Sequence, residues 1–290
     1  MIRQPDSAIG GCVLAGLAAL CWLALAPAAS AHRIEKTFKV EPHPVVTVRN
    51  ASGKINIHKW DKPEVRVVAD HSSEKVETDA EQMGNRVDVI THLLSEQATP
   101  AELKADYDIT VPGESELQIR TDAGLVIVKG ISGDMTFDTV AADVALEEVA
   151  GYLVFKTVGG SLDCTRCAGR IEASSISGNI RLTQPVSATV RAQTYSGSIF
   201  FDGDFKRGGV YLLKSFEGPI EVRFSDDDSF ALSATSIHGL VENQATLRQP
   251  LHRRAQRAQL SNSLLGNVNE GLARVELASF SGTIRILKRQ

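Results

Sequence analysis

The residues best suited to chemistry in this chain are two cysteines. Cys164-Thr165-Arg166-Cys167 has the C-x-x-C spacing that serves dithiol redox centres, half of a zinc site, or a short disulfide. Zinc needs two further ligands, and neither a second C-x-x-C nor a nearby histidine pair supplies them. A thioredoxin-like centre needs a βαβ frame, and no such pattern surrounds these residues. Both cysteines fall on inward positions flanking one corner of a β-repeat. Two readings stay open: buried thiols that fill the core, or a disulfide across the corner if it brings the α-carbons within about 7 Å.

Other candidates have simpler accounts. Asp226-Asp227-Asp228 offers hard oxygen ligands for a cation but lacks the spacing of a calcium loop. Its place between Phe224 and Phe230 reads as a solvated turn. The histidines at 32, 43, 58, 71, 92, 238 and 252 show no metal-ligand spacing such as H-E-x-x-H. G-x-S-x-G, Walker and G-G-x-G-x-D signatures are all missing. Arg253, Arg254 and Arg257 suit an acidic polymer or lipid headgroups, although a solvated loop is the plainer reading. The sequence therefore predicts no cofactor, no metal and no catalytic constellation.

The start of the chain speaks to compartment. After Arg3 and Asp6 no charged residue appears until His32 and Arg33, and residues 8–26 are rich in Ala, Leu, Gly and Val. Pro27 ends the run, and Ala29-Ser30-Ala31 supplies the small residues that a signal peptidase accepts. This predicts a signal peptide over residues 1–31, cut between Ala31 and His32, with an uncleaved anchor as the alternative. Ile9-Gly10-Gly11-Cys12 precedes the apolar core and so does not serve as a lipobox, and residues 285–290 offer neither a second span nor a sorting signal. The expectation is export to the periplasm, cell surface or medium, with no stable membrane span after cleavage. Removing Arg3 and Asp6 leaves the net charge at -4, against a nucleic-acid partner. Aromatic residues are only 6% of the chain, which counts against a sugar cleft built on aromatic platforms.

The elements that position these residues come from an internal repeat. Small residues recur every nine positions at Gly124, Gly133, Ala142, Gly151, Gly160, Gly169 and Gly178. Two and four residues after each stand apolar pairs, from Val126 and Val128 through Met135 and Phe137 to Ile180 and Leu182. Such alternation puts both side chains on one face of a short strand. Ile131, Val140, Val149, Val158, Cys167 and Ile176, two before most of the small residues, read as a third inward side chain. A hydroxyl column stands three before alternate small residues: Thr121, Thr139, Thr157, Ser175, Thr194, Ser215, Ser236, Ser263 and Ser279. The units between carry Gly130, Glu148 and Arg166 there, so two strands make one coil of 18 residues, loosening later to steps of 19, 21, 21, 27 and 16.

In-register corners of this kind fit an all-β, parallel β-solenoid better than a meander of antiparallel hairpins. Residues 121–290 carry its repeats, and residues 32–120 read as its N-terminal capping end within one continuous domain. The unit appears early at residues 50–57. Residues 74–83 contain good helix formers with no breaker before Gly84, which predicts a short helix in the cap. Residues 249–254 read as a loop between late coils.

The run Asp108-Ile109-Thr110-Val111-Pro112-Gly113, followed by Thr121-Asp122-Ala123-Gly124-Leu125-Val126-Ile127-Val128 and repeated T-x-x-G-x-I-x-I units, resembles a bacterial β-strand repeat family. That family is labelled as adhesins and is also known as the domain of unknown function 4097. The resemblance covers residues 38–287. It implies a β-solenoid in exported or envelope-associated proteins, with adhesion suggested and no catalytic residues to carry over. The chain departs from the pattern at Ala142, where glycine is expected, and at Asn243 and Glu270, which put polar residues at usually apolar positions.

Three function classes follow. One is a non-enzymatic module that meets a protein or glycan of the cell envelope. Another is an envelope-stress or signalling accessory that binds a regulator. A third is a polysaccharide-acting β-helix enzyme, which needs acidic and basic residues converging on adjacent coils. Asp163, Arg181 and Glu221 are outward, chemically mixed and read as separated along the stack, so the first class is favoured over catalysis. Terminal sequencing of exported protein should find His32 first; a retained apolar segment would restore the anchor.

Overall fold

The computed structural model describes residues 32–289 except 72, 96 and 249–261. The segment preceding His32 and the arginines at 253, 254 and 257 lie outside the described residues. Strands account for all the regular structure described. In chain order the first are β1 (His32–Lys39), β2 (Val45–Asn50), β3 (Lys54–Trp60), β4 (Glu64–His71), β5 (Val76–Met83), β6 (Arg86–Leu93), β7 (Ala105–Pro112) and β8 (Glu116–Thr121). Next come β9 (Leu125–Lys129), β10 (Met135–Thr139), β11 (Asp143–Glu147), β12 (Ala150–Thr157), β13 (Leu162–Thr165), β14 (Ala168–Ser175), β15 (Ile180–Thr183) and β16 (Val186–Thr194). The last are β17 (Ile199–Asp202), β18 (Val210–Ser215), β19 (Ile220–Phe224), β20 (Phe230–Ser236), β21 (Val241–Asn243), β22 (Ser263–Val268), β23 (Ala273–Ser279) and β24 (Ile284–Lys288).

They form two 12-stranded sheets, each coil giving one strand to either sheet. The first sheet runs β1-β4-β7-β3-β9-β11-β13-β15-β17-β19-β24-β21, and the second β22-β20-β23-β18-β16-β14-β12-β10-β8-β2-β6-β5. Pairing is parallel through the body, as in Met135↔Leu153 and Leu162↔Ile180. The antiparallel pairs β1·β4, β4·β7, β5·β6 and β20·β22 lie toward the ends. The inward face carries the predicted apolar pairs: Met135, Phe137, Ile180, Leu182, Ile199 and Phe201 are all sealed from solvent. This is the parallel β-solenoid of two-strand coils that the period implied.

The two corners of a coil differ, and hydrogen bonding explains the hydroxyl column. Ser175, Thr194, Ser236 and Ser279 accept from the amide three residues on, at 2.7 Å from Gly178, 3.1 Å from Gly197, 3.0 Å from Gly239 and 2.8 Å from Gly282. Ser236 Oγ also donates across the coil boundary to Gly282 O at 2.9 Å. The glycines are required by proximity: a Cβ on Gly178 would lie inside contact distance of the Gly160 carbonyl, and one on Gly197 would strike that of Gly178. Ala142 takes the same place, buried, and Thr139 Oγ1 donates to its carbonyl at 3.4 Å. The opposite corner turns through the left-handed region at Gly130, Glu148, Arg166 and Gln184, with φ of 68°, 55°, 52° and 50°.

That contrast corrects one expectation. Ile131, Val149 and Cys167 follow the left-handed residue, which resets the strand alternation and points them inward. Val140, Val158 and Ile176 instead follow an inward hydroxyl with no reset, so they point outward and are 48%, 48% and 54% exposed. The helix expected at residues 74–83 is β5, antiparallel to β6. Val76, Thr78 and Ala80 alternate inward against Glu77, Asp79 and Glu81, and pairing with β6 overrides their helical propensity.

Ser263 and Gly266 do not belong to the corner column: β22 runs antiparallel to β20, placing Ser263 opposite Thr235 and Gly266 beside Leu247. Of the family departures, Asn243 closes β21 by bonding both backbone groups of Ala245, and Glu270 stands in a turn rather than a strand.

Coil order in space departs from chain order twice. The β2–β3 coil lies between β6–β7 and β8–β9, and the β23–β24 coil lies between β18–β19 and β20–β21. The earlier strand β20 therefore rests on the later β23 across Leu232↔Val275. Val275→Asp would bury a carboxylate with no partner. Hydrogen exchange should then show protection lost in Phe230–Ser236 while β10 to β16 stay protected; retained protection in β20 would contradict this stacking.

Candidate binding surfaces

Cys164 and Cys167 flank the left-handed Arg166 and are both buried, with α-carbons 6.0 Å apart and their sulfurs bonded. β13 supplies the first, and the corner leading to β14 the second. Arg166 points away and grips Glu147 at 3.0 Å and Glu148 at 2.9 Å. Glu147 is held below the usual carboxylate range, first by its bond with Lys129 and then by Arg166. Every charge at this corner has an opposite neighbour.

The first sheet's outer face gathers residues that the sequence reading had placed apart. Asp163, Arg181, Phe200, Glu221, Arg285 and Glu242 stand in register on successive coils. Arg181 pairs with Asp163 at 3.3 Å and covers the Phe200 ring at 4.7 Å. Glu221 binds Arg223 at 2.8 Å, and Arg285 binds Glu242 at 3.1 Å. Parallel coils bring together what the chain separates by 18 to 64 residues, but the row neutralises itself.

The aspartate run is not a solvated turn throughout. Asp228 is buried, accepting from Phe205 N at 2.8 Å and Ser225 N at 2.6 Å. Burial raises its pKa against the lowering by those two amides. Asp226 pairs with Lys288 at 2.6 Å. Among the described residues no group of three His, Cys, Asp or Glu side chains converges on a metal position.

The feature that sequence reasoning missed is an apolar ridge along the hydroxyl corner. Val140, Val158, Ile176, Tyr195, Phe216, Phe280 and Ile237 each follow a column residue, and each is between 37% and 58% exposed. Column pairing from Thr139 to Ser236 sets them on consecutive coils, about 4.8 Å apart. Tyr195 stacks on Phe216 at 4.7 Å, and Phe216 on Phe280 at 4.5 Å with planes 2° apart. His238 meets Phe280 edge-on at 4.8 Å. The signal was present as hydroxyl-apolar dipeptides. Parity would have revealed it, since a residue after an inward threonine points out.

Apart from the Tyr195 hydroxyl and the His238 imidazole, the ridge is hydrocarbon. It can shed water against a complementary apolar surface, and contiguous exposed apolar patches of this kind mark interaction sites. Phe216 has both ring faces covered, by Tyr195 and Phe280, which each give one face to the stack.

Comparison with known proteins gives three findings. The sequence profile of the family described as Toastrack DUF4097 matches residues 43–287. A solved structure from Clostridium sporogenes ATCC 15579, named a "putative cell adhesion protein", is similar over 89% of this chain and 100% of its own, at 12% identity and a TM-score of 0.29. A "putative adhesin" from Bacteroides fragilis NCTC 9343 is similar over 89% and 97%, at 10% identity and 0.45. No curated protein matches the chain.

Thiol labelling of unfolded, unreduced protein that begins at His32 should detect no free cysteine, and two after reduction. Two reactive thiols before reduction would replace the bridge with buried core thiols.

Proposed function

Because the chain belongs to the Toastrack family DUF4097, we propose that it is an exported, non-enzymatic and adhesin-like binding module whose apolar ridge docks a protein of the cell envelope. The observation that carries this reading is the exposure of seven apolar side chains in register on consecutive coils. A folded chain that met only water would gain by placing polar residues there. Alternating parity would accept them without disturbing the core.

A protein partner suits the ridge better than a glycan or a nucleic acid. Sugars stack on open ring faces, whereas Phe216 at the centre of the aromatic run has both faces covered, by Tyr195 and Phe280. Nucleic acid needs cations along its whole contact, whereas the ridge is flanked only by Lys156, Lys214 and His238, with Asp138 and Glu217 among them. Export is supported by the apolar run at residues 8–26 with its A-x-A site and by the bridged cysteines, which suit an oxidising compartment. The binding reading is supported by the first sheet's outer face, where Asp163, Glu221 and Glu242 are each committed to an arginine.

Tyr195→Ser, Phe216→Ser and Phe280→Ser together should weaken an envelope protein captured by the wild type at least about tenfold, as loss of interface aromatics does. Glu221→Gln on the first sheet should leave that binding unchanged, and both variants should melt like the wild type. Binding indifferent to the ridge would reject the assignment. Polysaccharide turnover that vanished on replacing one outward carboxylate would reject the non-enzymatic reading.

A further inference from the structure

The second sheet carries a different surface on its outer face, beside the ridge: its nearer row, Lys156, Ser174, Gln193 and Lys214, stands two residues before Val158, Ile176, Tyr195 and Phe216. A trough of about 470 Å³ crosses β12, β14, β16 and β18. Ser174 is the smallest of the outward residues that line it, and Ala173 and Ala192 beneath turn their buried side chains to the core. Two outward rows border it in register. One runs Lys156, Ser174, Gln193, Lys214, and the other Val154, Glu172, Arg191, Leu212.

Charge on the four strands under the trough opposes that of the chain. Lys156, Arg170, Arg191 and Lys214 stand against one carboxylate, Glu172, on a protein of net charge -4, with Asp138 on β10 and Glu276 on β23 flanking them in register. Glu172 is already engaged by Arg170 and by Tyr152, whose hydroxyl donates at 2.9 Å. Those bonds, Arg170 first, hold Glu172 below the usual carboxylate range. Arg191 is left at 4.0 Å from it, and Lys214 lies 3.5 Å from Glu276, which Arg274 also holds at 3.3 Å. Lys156 forms no ion pair among the described residues.

We propose that this trough binds an extended acidic glycan, one carrying carboxylates on successive sugar units, along the stack axis. Lys156, Arg191 and Lys214 would meet the carboxylates, Ser174 and Gln193 the hydroxyls, and Val154 and Leu212 the apolar C–H faces. The coil repeat of about 4.8 Å is close to the length of one pyranose unit, so successive sugars meet successive rungs. All four strands are paired on both sides, so an acidic peptide cannot dock here by strand addition, and polyglutamate tests its binding by charge alone. A flat bilayer does not reach into a concave floor.

Titration calorimetry with a decameric oligogalacturonate tests the assignment, using its fully methyl-esterified form, polyglutamate and anionic phosphatidylglycerol vesicles as comparators. The acidic oligomer should bind with an affinity that falls as salt rises, and the esterified form should bind at least tenfold more weakly. Lys156→Glu with Lys214→Glu should cost tenfold or more, and Lys156→Gln with Lys214→Gln provides the gentler pair if charge reversal lowers the melting temperature. Ile237→Ser, on the ridge beyond β23 from β18, should change nothing, which separates this site from the proposed docking ridge. Absence of binding, equal binding of the ester, polyglutamate or vesicles, or indifference to both lysine pairs would overturn the proposal.

Discussion

Everything in this molecule depends on how closely one coil can approach the next at the hydroxyl corner. Backbone amides and carbonyls must meet across about 4.8 Å for the parallel ladders to form. At the bend this brings each glycine onto the carbonyl of the coil beside it. A side chain at Gly178 or Gly197 would hold the coils apart and open both flanking strand pairs. The serine or threonine three residues earlier completes the arrangement by accepting the glycine amide that the bend would otherwise strand. Glycine permits the approach and the hydroxyl satisfies it, so the two columns occur together.

This coupling is why the fold was legible and parts of the surface were not. Spacing of glycine and hydroxyl reports a local backbone requirement, and a local requirement repeats in sequence. The inward pairs were equally readable because alternation is strict within a strand of four or five residues. The errors came where the alternation is reset or the pairing is distant. Val140 and Ile131 stand at equivalent positions before a small residue, yet only Ile131 follows a left-handed residue, and no spacing rule reveals that torsion. Val76–Met83 reads as a helix by propensity because its partner β6 is supplied by the fold and not by its own composition. Glu148, Arg166 and Gln184 hold left-handed angles with side chains that disfavour them, so composition gives no warning there either.

The ends obey a different logic. A stack of parallel coils would present open ladders that invite further pairing. Here the outermost strands of the N-terminal end, β1 and β5, are antiparallel and bear several charges each, with Arg33, Glu35 and Lys36 on one and the alternating Glu77, Asp79 and Glu81 on the other. At the opposite end β21 spans three residues and β22 runs antiparallel. Insertion of β23–β24 between earlier coils also places the last strands inside the stack, where pairing on both sides holds them. That insertion is what makes Phe280 the neighbour of Phe216, across 64 residues of chain, and completes the aromatic part of the ridge.

A solenoid turns a sequence period into parallel rows, and each row can take its own chemical character because the core constrains only inward positions. The first sheet spends its outer row on ion pairs such as Asp163 with Arg181, which leave little charge for a partner. Across the core, β12, β14, β16 and β18 of the second sheet carry four outward cations, Lys156, Arg170, Arg191 and Lys214, against the single carboxylate of Glu172. Between them the hydroxyl corner must keep its column residue inward, so the next side chain is committed to solvent whatever its polarity. Apolar residues fill that obligatory outward position on seven coils. Corner geometry requires a side chain to be exposed there but is indifferent to its type. The apolar choice is therefore unexplained by folding, and it becomes intelligible when another surface covers it.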